Sequence, residues 1–175
     1  MLDKAARKRR RIQEDERDWK EIMTEGSEIL FSEPFRRALN QIHHDNTTVG
    51  KHTLNVTKKS LRISNRLEKM HIHVDRKRMI LSALGHDLGI VGNRFGEDFK
   101  GKFKTSIDHP KRSVEVASDV ADIHEKTATA IKRHMWPICI IPPNSLEGWI
   151  LTVADKWAAV QELKKSKHSK YINLT

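Results

Sequence analysis

One cysteine, Cys139, stands among 175 residues. No disulfide can close within the chain, and no cysteine-based zinc cluster can be assembled. Proline and glycine are scarce, at 5 and 8, which argues against a turn-rich all-β fold. No apolar run approaches the ~18 residues a membrane helix needs, and the first residues are too charged for a secretory leader. The absence of disulfide chemistry and of membrane segments gives the expectation of a soluble cytoplasmic protein in a reducing compartment. Hydrophobic residues are only 37% of the chain, so the core must be small and the surface heavily charged.

Charge is abundant but uneven. The net charge is +10. Residues 1–23 carry 8 basic and 6 acidic side chains, and residues 164–175 carry four lysines and no acid. More than half of the excess therefore lies at the two ends. A basic chain attracts nucleic acid or phosphorylated small molecules, or is simply soluble.

Apolar spacing reads as helices throughout. Residues 4–24 form a charged N-terminal helical arm, with Arg7–Arg11 followed by Glu14-Asp15-Glu16 and with Trp19, Ile22 and Met23 docking it. Ser32-Glu33-Pro34 starts a helix, with serine as cap and proline in the first turn. Phe35, Leu39 and Ile42 follow on one face, and the polar stretch 43–46 ends it. A helix over about 48–69 carries Leu54, Val56, Leu61, Ile63 and Leu67, with His52 on or beside the buried side. Asp75 caps the next helix, 76–87, whose last turn holds His86-Asp87 ahead of Gly89. Residues 88–108 have no clear period; glycines alternate there with Arg94, Lys100, Lys102, Lys104 and three phenylalanines, the composition of a lid or binding loop. His109-Pro110 opens a further helix, and another ends at His134. Ile138-Cys139-Ile140-Ile141 reads as a buried connector. Asn144-x-x-Glu147 resembles a capping box for the last helix, which ends near Leu163. The expected class is all-α: an arm (1–24), a helical metal-binding domain (25–163) and a basic, disordered tail (164–175).

A His-Asp doublet is an ordinary chance event at this histidine and aspartate content, and the chain has two. His44-Asp45 lies in a polar turn. His86-Asp87 ends an apolar helix and has His52 one helix earlier. His109, His134 and Asp155 sit on later helices, Asp155 between Leu151 and Ala158 on an apolar face. Singly, each is an ordinary core histidine or helix-capping aspartate. Together, six inward-leaning polar groups would each need a partner or cost about 1–3 kcal/mol, and a metal pair satisfies all of them. Imidazole and carboxylate without thiolate suit iron, manganese, cobalt or zinc, with positions left open for water.

His52, His86-Asp87 and Asp155, each on its own helix, resemble the pattern of the HD-domain superfamily of metal-dependent phosphohydrolases. His109 and His134 match its two-metal members. The stretch Ile131 to Pro137, with Asp155-Lys156 beyond, looks like bacterial members without a settled substrate. The resemblance covers about residues 40–163. It implies a compact helical bundle in which Asp87 bridges two divalent ions, iron or manganese first and zinc, cobalt or nickel as alternatives. His52, His86 and Asp155 would complete one ion, and His109 and His134 would hold the other. His86 and Asp87 are then the residues at the centre of catalysis, and a metal-activated water attacks phosphorus.

Two-metal relatives often carry a lysine shortly after the doublet, where this chain has Ile90. Arg94, Lys104 or Lys156 would then meet the substrate phosphate, with His44 as a further substrate contact. The paired-histidine and Gly-Tyr-Pro signature of the cyclic-dinucleotide branch is missing. The expected function is hydrolysis of a phosphate ester or nucleotide-type small molecule. The competing readings are a di-iron oxygenase on the same ligands, and a non-catalytic RNA- or protein-binding module using Arg7–Arg11 and the lysine tail.

Overall fold

A computed structural model describes residues 3–44, 47–92 and 99–172, with side chains outside 43–44, 99–103 and 165–172. Eight α-helices are present among the described residues: α1 (Lys4–Glu25), α2 (Ser27–Leu30), α3 (Glu33–Asn40), α4 (Val49–Glu68), α5 (Arg76–Gly85), α6 (Phe99–Val120), α7 (Glu125–Arg133) and α8 (Leu146–Ile172). Two short strands, β1 (Ile42–His44) and β2 (Thr47–Thr48), form an antiparallel ribbon, and a 3-10 turn spans Leu88–Ile90. The class is all-α, as the apolar spacing implies. No helix among the described residues is long and apolar enough to cross a membrane.

Side-chain caps set several helix starts. Ser32 accepts from the Phe35 amide, Thr48 from Lys51 and Asp75 from Arg78. Each cap satisfies one of the amide donors left over at a helix N-terminus. Leu61 (α4), Ile80 and Leu84 (α5), Ala117 (α6) and Ile131 (α7) then bury their apolar faces in one cluster, with Ile22, Ile29 and Phe35 from the first three helices. Val56, Met79, Ala83, Leu151, Ala154 and Ala158 form a second cluster between α4, α5 and α8.

The last turns of α1 are firmly docked. Ile22 is fully buried, and the Asp18 carboxylate, 5% exposed, meets the Arg76 guanidinium at 3.1 Å. Asn65 donates to Asp18 at 3.0 Å and accepts from Arg76 at 2.7 Å, so α1, α4 and α5 share one buried polar network.

The structure departs from the sequence reading at several places. Residues 99–108 are helical, and Pro110 lies inside α6 rather than at its start. Proline removes only one backbone donor, and the buried face of α6 carries the helix past it. Residues 164–172 continue α8 rather than forming a disordered tail; nothing between Leu163 and Ile172 breaks a helix, although the apolar period has ended. Ile138, Ile140 and Ile141 face solvent, Ile140 at 90% exposure. The amides of Ile138 and Cys139 both donate to the Met135 carbonyl, and this tight turn directs the isoleucines outward while Pro143 is buried. The start of α8 is capped by Ser145, which accepts from the Gly148 amide, not by Asn144; Glu147 instead accepts from the Asp75 amide.

Candidate metal centre

The six histidines and aspartates of the constellation arrive on five segments, His86 and Asp87 together. His52 lies on the first turns of α4, and Asp155 lies midway along α8. His86 and Asp87 stand just past the end of α5, one step beyond the last helical turn expected for them, and the 3-10 turn Leu88–Ile90 follows at once. His109 precedes Pro110 inside α6, and His134 directly follows α7.

Gly89 makes this convergence sterically possible. A Cβ there would stand 2.4 Å from the Ser113 amide nitrogen and 2.6 Å from the His109 carbonyl oxygen. The turn after Asp87 therefore lies backbone-to-backbone on the stretch of α6 that carries His109, and the Gly89 amide donates to Ser113 Oγ at 2.9 Å. On the other side, Gln41 donates to the Ile90 carbonyl and accepts from the Gly92 amide, which ties the start of the β-ribbon to the same turn.

The ring nitrogens divide their work consistently. Nδ1 of His86 donates to the Ala83 carbonyl (2.8 Å), Nδ1 of His109 to Thr105 (2.9 Å) and Nδ1 of His134 to Ile131 (2.6 Å). A carbonyl can only accept, so these three Nδ1 atoms carry hydrogen. In the neutral rings their Nε2 atoms present lone pairs. Asp87 faces all four rings. Its Oδ2 lies 3.3 Å from His86 Nε2 and 3.8 Å from His52 Nε2, and its Oδ1 lies 3.2 Å from His109 Nε2 and 3.7 Å from His134 Nε2. Asp155 Oδ1 lies 3.1 Å from His52 Nε2 and 3.9 Å from His86 Nε2.

The electrostatics differ from one side of the centre to the other. Burial opposes a charged His52, but hydrogen bonds to Asp155 and Glu162 and the charges of Asp87 and Asp155 outweigh it and raise this imidazole to about 10. His86 is also raised, against burial, chiefly by the Asp87 charge. His134 is pushed down to about 3 by burial and then by His86 and His109 beside it. Burial disfavours both carboxylates in charged form, yet the surrounding imidazoles hold Asp87 and Asp155 below the usual carboxylate range. The centre thus attracts positive charge, most strongly on the His52 side.

These residues fit metal ions. His86 Nε2 is wholly buried and makes no well-aligned hydrogen bond, although Asp87 Oδ2 lies 3.3 Å away. Two triads, His52/His86/Asp155 and His86/Asp87/His134, each bring their ligand atoms within 4.8 Å of one another, a reach suited to a shared cation.

The candidate substrate residues are placed less completely. Lys156 lies beside the centre: its Nζ donates to the His134 carbonyl (3.2 Å) and stands 3.5 Å from Asp155 Oδ2. Lys104 is exposed on α6. Arg94 and the side chain of His44 lie outside the described residues. One participant is absent from the sequence reading. Glu162 Oε2 accepts from His52 Nδ1 at 2.8 Å. Its only signal in the sequence is its position seven residues after Asp155, on the same face of a helix.

The family profile described as HD domain matches residues 49–160, and the chain belongs to the HD-domain superfamily of metal-dependent phosphohydrolases. No curated protein and no solved structure gave a significant match. Members of this superfamily bind divalent metals and are generally hydrolases.

Proposed function

We propose that the centre formed by His52, His86, Asp87, His109, His134 and Asp155 holds two divalent transition-metal ions and hydrolyses a phosphate ester or a nucleotide-type small molecule. The observation that carries this reading is the aim of Asp87. Its two oxygens face different histidines, Oδ2 toward His52 and His86 and Oδ1 toward His109 and His134. A carboxylate shared in this way suits a bridging position between two ions. Imidazole–carboxylate sets of this kind favour iron or manganese, with zinc, cobalt and nickel as alternatives.

When bound, such ions supply a water of lowered pKa and positive charge opposite the phosphoryl oxygens. The protein's own residues supply the rest. The Nδ1 bonds to Ala83, Thr105 and Ile131 hold three rings in fixed orientation, which lowers the ordering cost of binding. Lys156, 39% exposed beside Asp155, offers a cation on the solvent side for a substrate phosphate, in the role that Ile90 cannot fill. Lys104, Arg94 and His44 are further substrate contacts in this reading.

The test is metal analysis followed by turnover. Protein loaded with manganese or anaerobically with ferrous iron is incubated with a panel of phosphomonoesters, phosphodiesters and nucleotides. Release of phosphate or of a cleaved nucleotide that stops on chelation is expected. Full metal occupancy with no cleavage of any phosphate ester would refute the assignment, and consumption of oxygen by the iron form would favour an oxygenase.

A further inference from the structure

His52 differs from the other three histidines in how its outer nitrogen is held. His86, His109 and His134 each donate from Nδ1 to a neutral carbonyl three or four residues back in their own segment. His52 donates to a carboxylate, Glu162, brought from the far part of α8. The second oxygen of that carboxylate accepts from Asn55 Nδ2 at 2.6 Å. His52 and Asn55 are three residues apart on α4, so one face of this helix grips both oxygens of Glu162. The carboxylate side chain is only 10% exposed, so solvent screens it weakly.

Helix α8 therefore reaches one imidazole from both ends. Asp155 meets Nε2 at 3.1 Å, and Glu162, two helical turns later, meets Nδ1 at 2.8 Å. A carboxylate behind a ligating imidazole fixes its tautomer and orientation and strengthens it as a donor. It also adds negative charge on the His52 side. The Nδ1 bonds of the other three rings, to neutral carbonyls, add none.

We infer that Glu162 is a positioning residue that makes the His52/His86/Asp155 group the tighter of two unequal metal sites, the one that fills first. This rests on the metal-centre reading above. It extends that reading by ranking the two sites and by assigning the difference to a residue outside the six.

Metal-free full-length protein titrated calorimetrically with manganese or cobalt tests it, with cobalt absorption as a second readout. The wild type is expected to bind in two phases. Glu162→Ala weakens the tight phase by about 10–100-fold and leaves the loose phase in place. Glu162→Gln keeps an oxygen for the Nδ1 hydrogen and removes the charge, so it restores part of the loss. A tight phase unchanged in both variants, or both phases weakened equally, overturns the inference. Should Glu162→Ala fail to fold, Glu162→Gln decides alone, with a tight phase weakened about tenfold expected and an unchanged one fatal. A wild type that binds no metal instead defeats the metal-centre reading itself, which keeps the two failures distinct.

Discussion

Nε2 of His109 stands 3.2 Å from Nε2 of His134. Both rings have their Nδ1 hydrogen committed to a backbone carbonyl, so in their neutral forms two lone pairs face each other at contact distance. A cation held by both rings would relieve that repulsion. Replacing His134 by alanine is accordingly expected to remove one ion and spare the other. Elemental analysis should fall from about two metals per chain to about one. Unchanged stoichiometry would take His134 out of the ligand set.

Asp87 touches both halves of the centre, and its loss should be more severe. Asp87→Asn keeps the side-chain volume and removes the charge that faces four imidazoles. Metal content and phosphatase turnover should both fall close to zero. A variant retaining about one ion per chain would show that the two sites do not share this carboxylate.

The opposed titrations of His52 and His134 give the metal-free protein a stability optimum. His52 is raised from 6.5 to about 10, so its stabilising contribution is complete below the unfolded value and is lost as pH rises from 6.5 toward 10. His134 is lowered from 6.5 to about 3, so the unfolded chain takes up a proton the native state refuses, and stability is lost as pH falls from 6.5 toward 3. Each limb has a slope of about 1.4 kcal/mol per pH unit for one proton. Urea titrations of chelator-treated protein should therefore peak near pH 6.5. A stability that keeps climbing to pH 9 would contradict the His52 environment.

Lys156 is expected to act on substrate rather than on the metals. Its Nζ is held by the His134 carbonyl and lies 3.5 Å from Asp155 Oδ2, with a side chain partly open to solvent. Lys156→Met should leave metal stoichiometry intact and raise KM for a phosphate substrate about tenfold, the scale of one lost charge-assisted hydrogen bond. Loss of metal without a KM effect would assign the lysine to the centre's scaffold instead.

Gly89→Ala should be costly although glycine and alanine differ by one methyl group. The new Cβ would meet the Ser113 nitrogen and His109 oxygen, both backbone atoms that cannot swing aside. A destabilisation of about 1–3 kcal/mol is expected. Weaker metal binding should accompany it, because α6 must shift with His109. Denaturant unfolding and metal titration on the same variant would check both.

The parts of this architecture that depend on local chemistry could be read in the sequence. Ser32 and Asp75 cap helices because short polar side chains satisfy orphan amides, and that chemistry is contained within four residues. That His52, His86, Asp87, His109, His134 and Asp155 approach one another was legible from their order along five segments and from the resemblance to the HD-domain pattern, with His86-Asp87 and Asp155 further marked by apolar surroundings. Glu162 was not, since a glutamate near a run of lysines looks like a solvated helix face and its bond to His52 spans 110 residues. Pro110 misled because its effect on a helix depends on tertiary packing that outweighs one missing donor. Ile138 to Ile141 misled because apolar residues are not always inside, and a tight turn can direct a whole run outward.

The polar network around Asp18 ties α1, which lies outside the stretch from residue 52 to residue 155 that a metal centre would draw together, to Asn65 and Arg76 within it. Ions bound by ligands on five segments would act as cross-links across the intervening loops and would stabilise by mass action the part of the chain that must be closed to bind them. Helix α1 is held by a different device, an arginine enclosed by carboxylates and one amide. Hydrogen exchange should therefore divide the chain unevenly. Metal loading should slow local opening of α4 through α8, while the amides of α1 report the Asp18–Arg76 contact and change little.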